Sequence, residues 1–302
     1  MKKKFRLKKK QKDLIFVIAM LILPMLWFGI FWVYVNFNSI LMAFKQYKGA
    51  GQYEWTLNNF KDIFAEFKYS DSVLRQALIN TLLFFPLNLI TIFFSLFFSF
   101  LFYKKTPGHG IFRVVFYLPS IISGVIMATL FKNIIGPSGP IALMLQKWFG
   151  YTKETLPYFL TDDKTAMGAI LVFTFWTSFG LNIIMFGGAM ARVPKEVIEA
   201  GKMDGCGFFR EFFGVMIPMI WPTISTVLLF ALSGIFMASG ATLLLTNGGY
   251  NTMNISLFIY QNVTANSFEY PAAVGLLFTL IGMPIVFIGR FILNKINSGV
   301  EY

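Results

Sequence analysis

The 302-residue chain has a single cysteine, Cys206, and a single histidine, His109. One thiol excludes an intrachain disulfide and a thiolate metal cluster. The histidine lies in a short polar stretch, Lys104 to Arg113, without a second ligand or nucleophile beside it, and reads as a solvated loop residue. Charge is also scarce. Only 13% of the residues are Asp, Glu, Lys or Arg, and none of these, nor the histidine, falls within six long apolar runs: Leu14 to Asn36, Gln76 to Phe102, Val114 to Phe131, Thr165 to Ala191, Phe212 to about Phe236, and Pro271 to Gly289. Ion-coupled carriers hold ionisable groups at membrane depth, so their absence argues against a secondary transporter. A membrane enzyme needs clustered acids, histidines or a nucleophile–base pair; Asp162-Asp163 stands alone and Ser178 has no base nearby in sequence. No Gly-x-x-x-x-Gly-Lys-Ser/Thr phosphate loop is present, and Gly201, Gly205 and Gly207 lack dinucleotide spacing. The chain does not hydrolyse ATP by itself.

What is present is apolar. Residues of the Ala-to-Trp apolar set make up 56% of the chain and aromatics 18%, with a mean hydropathy of +0.65. Each of the six runs is near or above the roughly 20 residues that span a bilayer as a helix, so the expected fold is all-α with six transmembrane helices. The formal charge of +12 points to nucleic acid in a soluble protein, but its distribution removes that reading. With the N-terminus inside, the inner segments hold seventeen of the 26 Lys and Arg and only six of the 14 acids, including Glu301. This is the positive-inside pattern, with both termini cytoplasmic. The basic start, Met1 to Lys12, precedes a run too long for a signal peptide and without a small-residue cleavage site, so a retained first helix anchored to lipid headgroups is expected. The organisation is then a basic tail over residues 1–13 and one membrane domain over 14–302.

Outer segments carry their own structure. Phe37 to Arg75 reads as short interfacial helices around a Gly49-Ala50-Gly51 turn. Lys132 to Lys164 opens on the breaker cluster Gly136-Pro137-Ser138-Gly139-Pro140, followed by a surface helix. Asn247-Gly248-Gly249 is a strong turn signal. Pro86, Pro119, Pro218, Pro222 and Pro284 lie in or at the edges of spans, where a missing backbone bond kinks a helix. No internal repeat is visible.

Between the fourth and fifth runs lies a charged island, at about residues 192–211. It starts at Pro194, has acids in its first turn (Glu196, Glu199), and reaches Asp204-Gly205, where a glycine ends a helix in a left-handed turn. A short capped helix on the cytoplasmic face is a docking element. The run Glu199-Ala200-Gly201, then Asp204-Gly205-Cys206, then Ile217-Pro218 resembles the EAA loop of binding-protein-dependent ABC importer permeases. Gly201 stands where the second alanine is found, Cys206 replaces an alanine and Ile217 a leucine. Trp55 to Phe60, Asn80-Thr81, Phe112-Arg113 with Leu118-Pro119, and Leu245 to Gly249 are similar to the carbohydrate branch, the larger maltose-type subunit in particular.

The resemblance implies the type I importer permease fold, ATPase docking through Glu199, Ala200, Gly201, Asp204 and Gly205, and an inner-membrane location. It also implies four kinds of partner: a second homologous permease, two ATPase subunits that bind ATP and magnesium, an extracytoplasmic solute-binding protein, and membrane lipid. No cofactor or metal on this chain and no nucleic acid are implied. For the substrate path it points to Thr174, Thr177, Ser178, Leu181 and Asn182, to which the residues themselves add Trp176: hydroxyls, an amide and an indole suit a neutral polyol. Helix packing is the competing explanation for that cluster. Asn80, Thr81, Asn88, Ser233 and Ser239 are further neutral polar residues at the spans. Leu181, and Ile235 to Ala238 before the Leu-Thr-Asn-Gly-Gly turn, depart from the maltose pattern. The leading expectation is a permease for an oligosaccharide or other neutral sugar. The alternatives are an ABC permease for a charged solute such as a glycerol phosphodiester, and a membrane assembly subunit with no solute path.

Overall fold

A computed structural model of the chain describes residues 9–49, 51–152, 154–265 and 267–296. Residues 1–8 of the basic tail and Glu301 lie outside these. A lipid interior offers the backbone no hydrogen bonds, so apolar runs pair their own N–H and C=O groups as helices. In chain order the elements are α1 (Lys9–Ala43), β1 (Lys45–Gly49), β2 (Gln52–Trp55), α2 (Asn58–Glu66) and α3 (Val73–Tyr103). Next come α4 (His109–Ile121), α5 (Gly124–Ile135), α6 (Pro140–Phe149), α7 (Ala166–Met190) and α8 (Lys195–Met203). The last are α9 (Phe208–Met219), α10 (Trp221–Ser233), α11 (Gly240–Leu245), α12 (Ile255–Thr264) and α13 (Glu269–Ile296).

Helices α1, α3, α7 and α13 are each long and apolar enough to cross a membrane, and the count reaches six if each of two bent pairs is one crossing. The third and fifth runs form these pairs. After α4, Ile122 and Ser123 turn extended and the chain continues at 110°. Between α9 and α10 the bend is 76° at Ile220. Pro222 cannot donate a backbone bond and its ring crowds the carbonyl four residues back, so it begins a new helix there.

Contacts sort the loops into two ends, as alternating crossings require. Lys104, after α3, pairs with Glu211 of α9, while Asn251 donates to Asp163 at 3.1 Å. Helix α3 runs through the middle and enters all three apolar clusters, with Leu74 and Ala77 near one end, Phe84 centrally, and Leu96 and Phe100 near the other. Its small polar residues Thr91, Ser95 and Ser99 are buried, and Ser99 Oγ donates to Ser95 O at 2.7 Å and to Ile183 O of α7 at 3.4 Å. Small residues let helix backbones approach closely where lipid supplies no hydrophobic drive.

The segment after α1 corrects one expectation. Residues 45–49 and 52–55 pair as two antiparallel strands, not an interfacial helix. Alternation puts Lys45, Tyr47, Tyr53 and Trp55 on one face, with Lys45 Nζ 4.9 Å from the Trp55 ring, and Gly49 and Gly51 take φ of +94° and +76°. Helix follows only at α2, whose buried Asn59 donates to Ala43 O and Lys45 O at 3.0 and 2.8 Å and ties the strand pair to the end of α1. A second polar lock joins α3 to the Asn247 turn. Asn80 donates to Asn251 O and Met253 O, both at 2.7 Å, and Thr81 Oγ accepts from Ile255 N at 2.9 Å.

Candidate functional site

The charged island folds as α8. Pro194 precedes it, Glu196 sits in its first turn and Lys202 in its last, each placed to complement the helix dipole. Gly205 N donates to Lys202 O at 3.0 Å and Cys206 N to Gly201 O at 2.9 Å, with Gly205 at φ +75°. This is a Schellman cap. Open space surrounds the position a Gly205 Cβ would take, so only its backbone conformation demands glycine. Ile198 faces inward at 6% exposure, while Glu199, Ala200 and Asp204 are exposed and Gly201 is half-buried. Met203, which sequence reasoning passed over, is 88% exposed.

A cavity of about 330 Å³ opens in the middle of the bundle. Phe84 and Asn88 of α3 line it, with Pro119 and Gly124 flanking the α4–α5 break, Thr174 and Thr177 of α7, and the 238–242 stretch before and within α11. Two interruptions of regular helix, at 122–123 and 238–239, meet there. Non-helical backbone at membrane depth is tolerated where it lines a cavity. The lining has no charged side chain. Thr174 and Thr177 Oγ donate to the carbonyls of Ile170 and Phe173 at 2.8 and 3.0 Å, leaving oxygen lone pairs to accept from a solute. Asn88 makes no side-chain hydrogen bond to the described residues, so its amide has both donors and its acceptor available.

The structure divides the fourth-span cluster. Thr174 and Thr177 line the cavity. Ser178 Oγ donates to Thr174 O at 2.5 Å, and neither it, Leu181 nor Asn182 is part of the lining. Leu181 is 66% exposed on the bundle surface. Trp176 lies against the apolar cluster behind the cavity, its ring 6.4 Å from Phe131. Asn88 and Ser239 line the cavity as neutral polar residues, whereas Asn80 and Thr81 belong to the lock at the end of α3. Among the described residues no group of three or more His, Cys, Asp or Glu is placed to hold a metal.

A third arrangement was not visible in sequence. Glu211 is 3% exposed, and Lys104 Nζ donates to both its carboxylate oxygens at 3.0 and 2.8 Å. The pair lies 107 residues apart along the chain.

Residues 91–302 match the family of binding-protein-dependent transport system inner membrane components. The chain belongs to this family. The permease is 26% identical over 277 residues, 87% of this chain and 90% of the relative, to the multiple sugar-binding transport system permease protein MsmF of Streptococcus mutans. It is also 26% identical over 235 residues to the probable ABC transporter permease protein YurN of Bacillus subtilis, covering 76% and 78% of the two chains. Among solved structures it is similar to a chain of the bacterial alginate ABC transporter in complex with alginate pentasaccharide-bound periplasmic protein, at a TM-score of 0.79 and 26% identity over 98% of this chain and 100% of that one. The permease is therefore a multi-pass inner-membrane component with the type I importer fold, of the carbohydrate ABC permeases.

Proposed function

We propose that the permease forms half of the translocation path of an ATP-driven importer for an oligosaccharide or other neutral sugar, and couples to an ATPase through residues 194–207. The observation that carries the substrate class is the cavity: it is uncharged, it lies where helices break, and its polar groups are Asn88, Thr174, Thr177, Ser239 and Thr242. Neutral donors and acceptors facing an apolar wall are what a sugar's hydroxyls and ring face require. Leu181 and Ser178 fall on the α7 face of Thr174 and Thr177, at helical spacing, and extend that stripe toward the side a second permease would close, with Asn182 at its edge. Trp176 supports the wall from behind.

In this reading Glu199, Ala200, Met203, Asp204 and the Gly205 cap seat an ATPase that binds ATP and magnesium. Gly201 lies half-buried on the side of α8 that faces Val215. The island is cytoplasmic, both termini are inside, two ATPases and a second permease complete the transporter, and an extracytoplasmic solute-binding protein delivers the sugar. The test is uptake into proteoliposomes by the assembled transporter, with ATP hydrolysis measured alongside. Asn88→Leu and Thr177→Val each remove neutral hydrogen bonds of about 1 kcal/mol and should slow uptake of the transported sugar several-fold with ATPase binding intact. Wild-type uptake by both would remove the cavity from the path. Absence of uptake of any solute by the complete assembly would favour a non-transporting subunit.

Similarity to an alginate transporter favours a second reading, an acidic oligosaccharide. An anion at membrane depth needs a cation, and in that case the second permease supplies it. Competition between neutral and uronate oligosaccharides separates the two.

A further inference from the structure

Resting on the importer reading, we infer that Lys104 and Glu211 are positioning residues that fasten the α8 loop to the end of α3, making α3 the arm that carries the loop's movement to the cavity. The route along the chain is the poorer conductor. From Phe208 it passes through a π-helical turn at Phe212–Met216 and a three-residue helical piece, Ile217–Met219, then bends by 76° at Ile220. Helix α3 is different. Between Asn88 and Lys104 it contains neither proline nor glycine, and at 1.5 Å per residue this unbroken stretch is about 24 Å long.

The fastening has three layers. Ile198 of α8 is buried in the same apolar cluster as Phe100 of α3 and Phe212 of α9, so the loop and the end of α3 share one packed core. The Phe100 ring lies 5.1 Å from Phe208 and 5.0 Å from Phe212, and Phe97 adds an edge contact to Phe212 at 5.6 Å. Beyond the rings the Glu211 carboxylate accepts twice from Lys104. Rings slide on one another at little cost, but an ion pair with a buried carboxylate does not: a small displacement strands the Glu211 charge out of water. The pair therefore fixes the register of a contact that apolar packing alone leaves free to shear. At the other end of the same rod, Asn88 lines the cavity. A push on α8 reaches the solute site through one rigid helix.

The experiment uses the assembled transporter in proteoliposomes. Glu211→Gln and Lys104→Met should still bind the ATPases and hydrolyse ATP at the basal rate, while solute taken up per ATP hydrolysed falls at least tenfold. The swapped pair Lys104→Glu with Glu211→Lys should restore most of it, which a purely structural role for either residue does not predict. Because loss of one buried partner can unfold a variant, a second measurement uses the intact ion pair. Phe97→Cys and Phe208→Cys, in a Cys206→Ser background, are joined by a short thiol-reactive bridge. If this contact stays closed throughout the cycle, bridging leaves uptake unchanged. Loss of uptake on bridging, or full uptake per ATP by Glu211→Gln, overturns the inference while leaving the importer reading standing. Absence of solute-stimulated hydrolysis in the unmodified assembly overturns the importer reading, and the inference with it.

Discussion

One tight helix crossing lies next to the cavity, where Gly180 of α7 meets Ser120 of α4. A methyl group at Gly180 would overlap Ser120 Oγ and sit 2.5 Å from Ser120 Cβ, with Phe116 O at 3.6 Å. Carbons in contact settle about 3.5–4.0 Å apart, so Gly180→Ala obliges the helices to part by about 1 Å. Rotating Ser120 moves its hydroxyl but not its Cβ. Overpacking of this kind costs about 1–3 kcal/mol, and replacing a helical glycine by alanine returns about 0.5–1 kcal/mol. The net loss is about 0.5–2 kcal/mol. Removing the obstructing carbon should reverse it. In Gly180→Ala/Ser120→Gly the nearest remaining neighbour is Phe116 O at an ordinary contact distance, so the double-mutant cycle should show favourable coupling of at least about 1 kcal/mol. The assay is thermal unfolding of the purified transporter in nanodiscs, read as the order of midpoints because a multi-span protein does not unfold in two states. Gly180→Ala should melt lowest, and the double variant should recover. Uptake should follow the same order, since Pro119 and Thr177 line the cavity on either side of the crossing. A Gly180→Ala transporter as stable as wild type, or a double variant no better than the sum of its singles, would refute the reasoning.

Three other outcomes are expected. Gly205→Val should strain the cap at φ +75° and abolish solute-stimulated ATP hydrolysis while permease assembly persists, whereas Gly205→Asn, which tolerates the left-handed region, should retain most of it; equal activity of the two would dismiss the cap. Asn80→Ala removes both bonds to the Asn251 and Met253 carbonyls and, at about 0.5–1.5 kcal/mol for each bond, should cost about 1–3 kcal/mol, seen as faster hydrogen exchange through α12; unchanged exchange there would dissolve the lock. Cys206 should react with membrane-permeant thiol reagents, not with impermeant ones added outside intact cells, and lose reactivity when the ATPase binds; labelling from outside would reverse the proposed orientation.

Local chemistry was legible in the sequence and distant chemistry was not. The α8 cap follows from Pro194 and Gly205, which bracket one short helix, and the structure ends it at the expected glycine; Glu196 falls in the first turn, whereas Glu199, expected there too, lies in the next turn. The apolar runs became helices because lipid leaves the backbone no alternative. What the runs could not reveal was how sharply two of them bend. A proline permits a break, but the 110° turn falls three residues past Pro119, where the backbone becomes extended at Ile122. The Trp176 cluster illustrates a different limit. Residues adjacent in sequence scatter around a helix at 100° steps, so Trp176 lies about 200° from Thr174, on the far side from the cavity. The strand pair at 45–49 and 52–55 was read as helix because its aromatic alternation is only a few residues long. Gly201 was read as a size-tolerant substitution for alanine, and its surroundings agree: a Cβ there would meet Val215 at 3.7 Å and Cys206 Sγ at 3.9 Å, both ordinary contacts. The Lys104–Glu211 pair has no local signature at all.

The lock on α3 also has a consequence for how the protein is made. Thr81 accepts its bond from the backbone of Ile255, 174 residues later in the chain. At a synthesis rate of roughly 5–20 residues per second, α3 waits about 9–35 s for that partner to emerge. Throughout this interval the Asn80 amide lacks the Asn251 and Met253 carbonyls and Thr81 Oγ lacks the Ile255 N–H, and only their bonds to Gln76 and Ala77 within α3 are in place. The ribosome has by then delivered α4 through α11, so assembly of this end closes late, when the last sixth of the chain folds back onto a helix inserted much earlier.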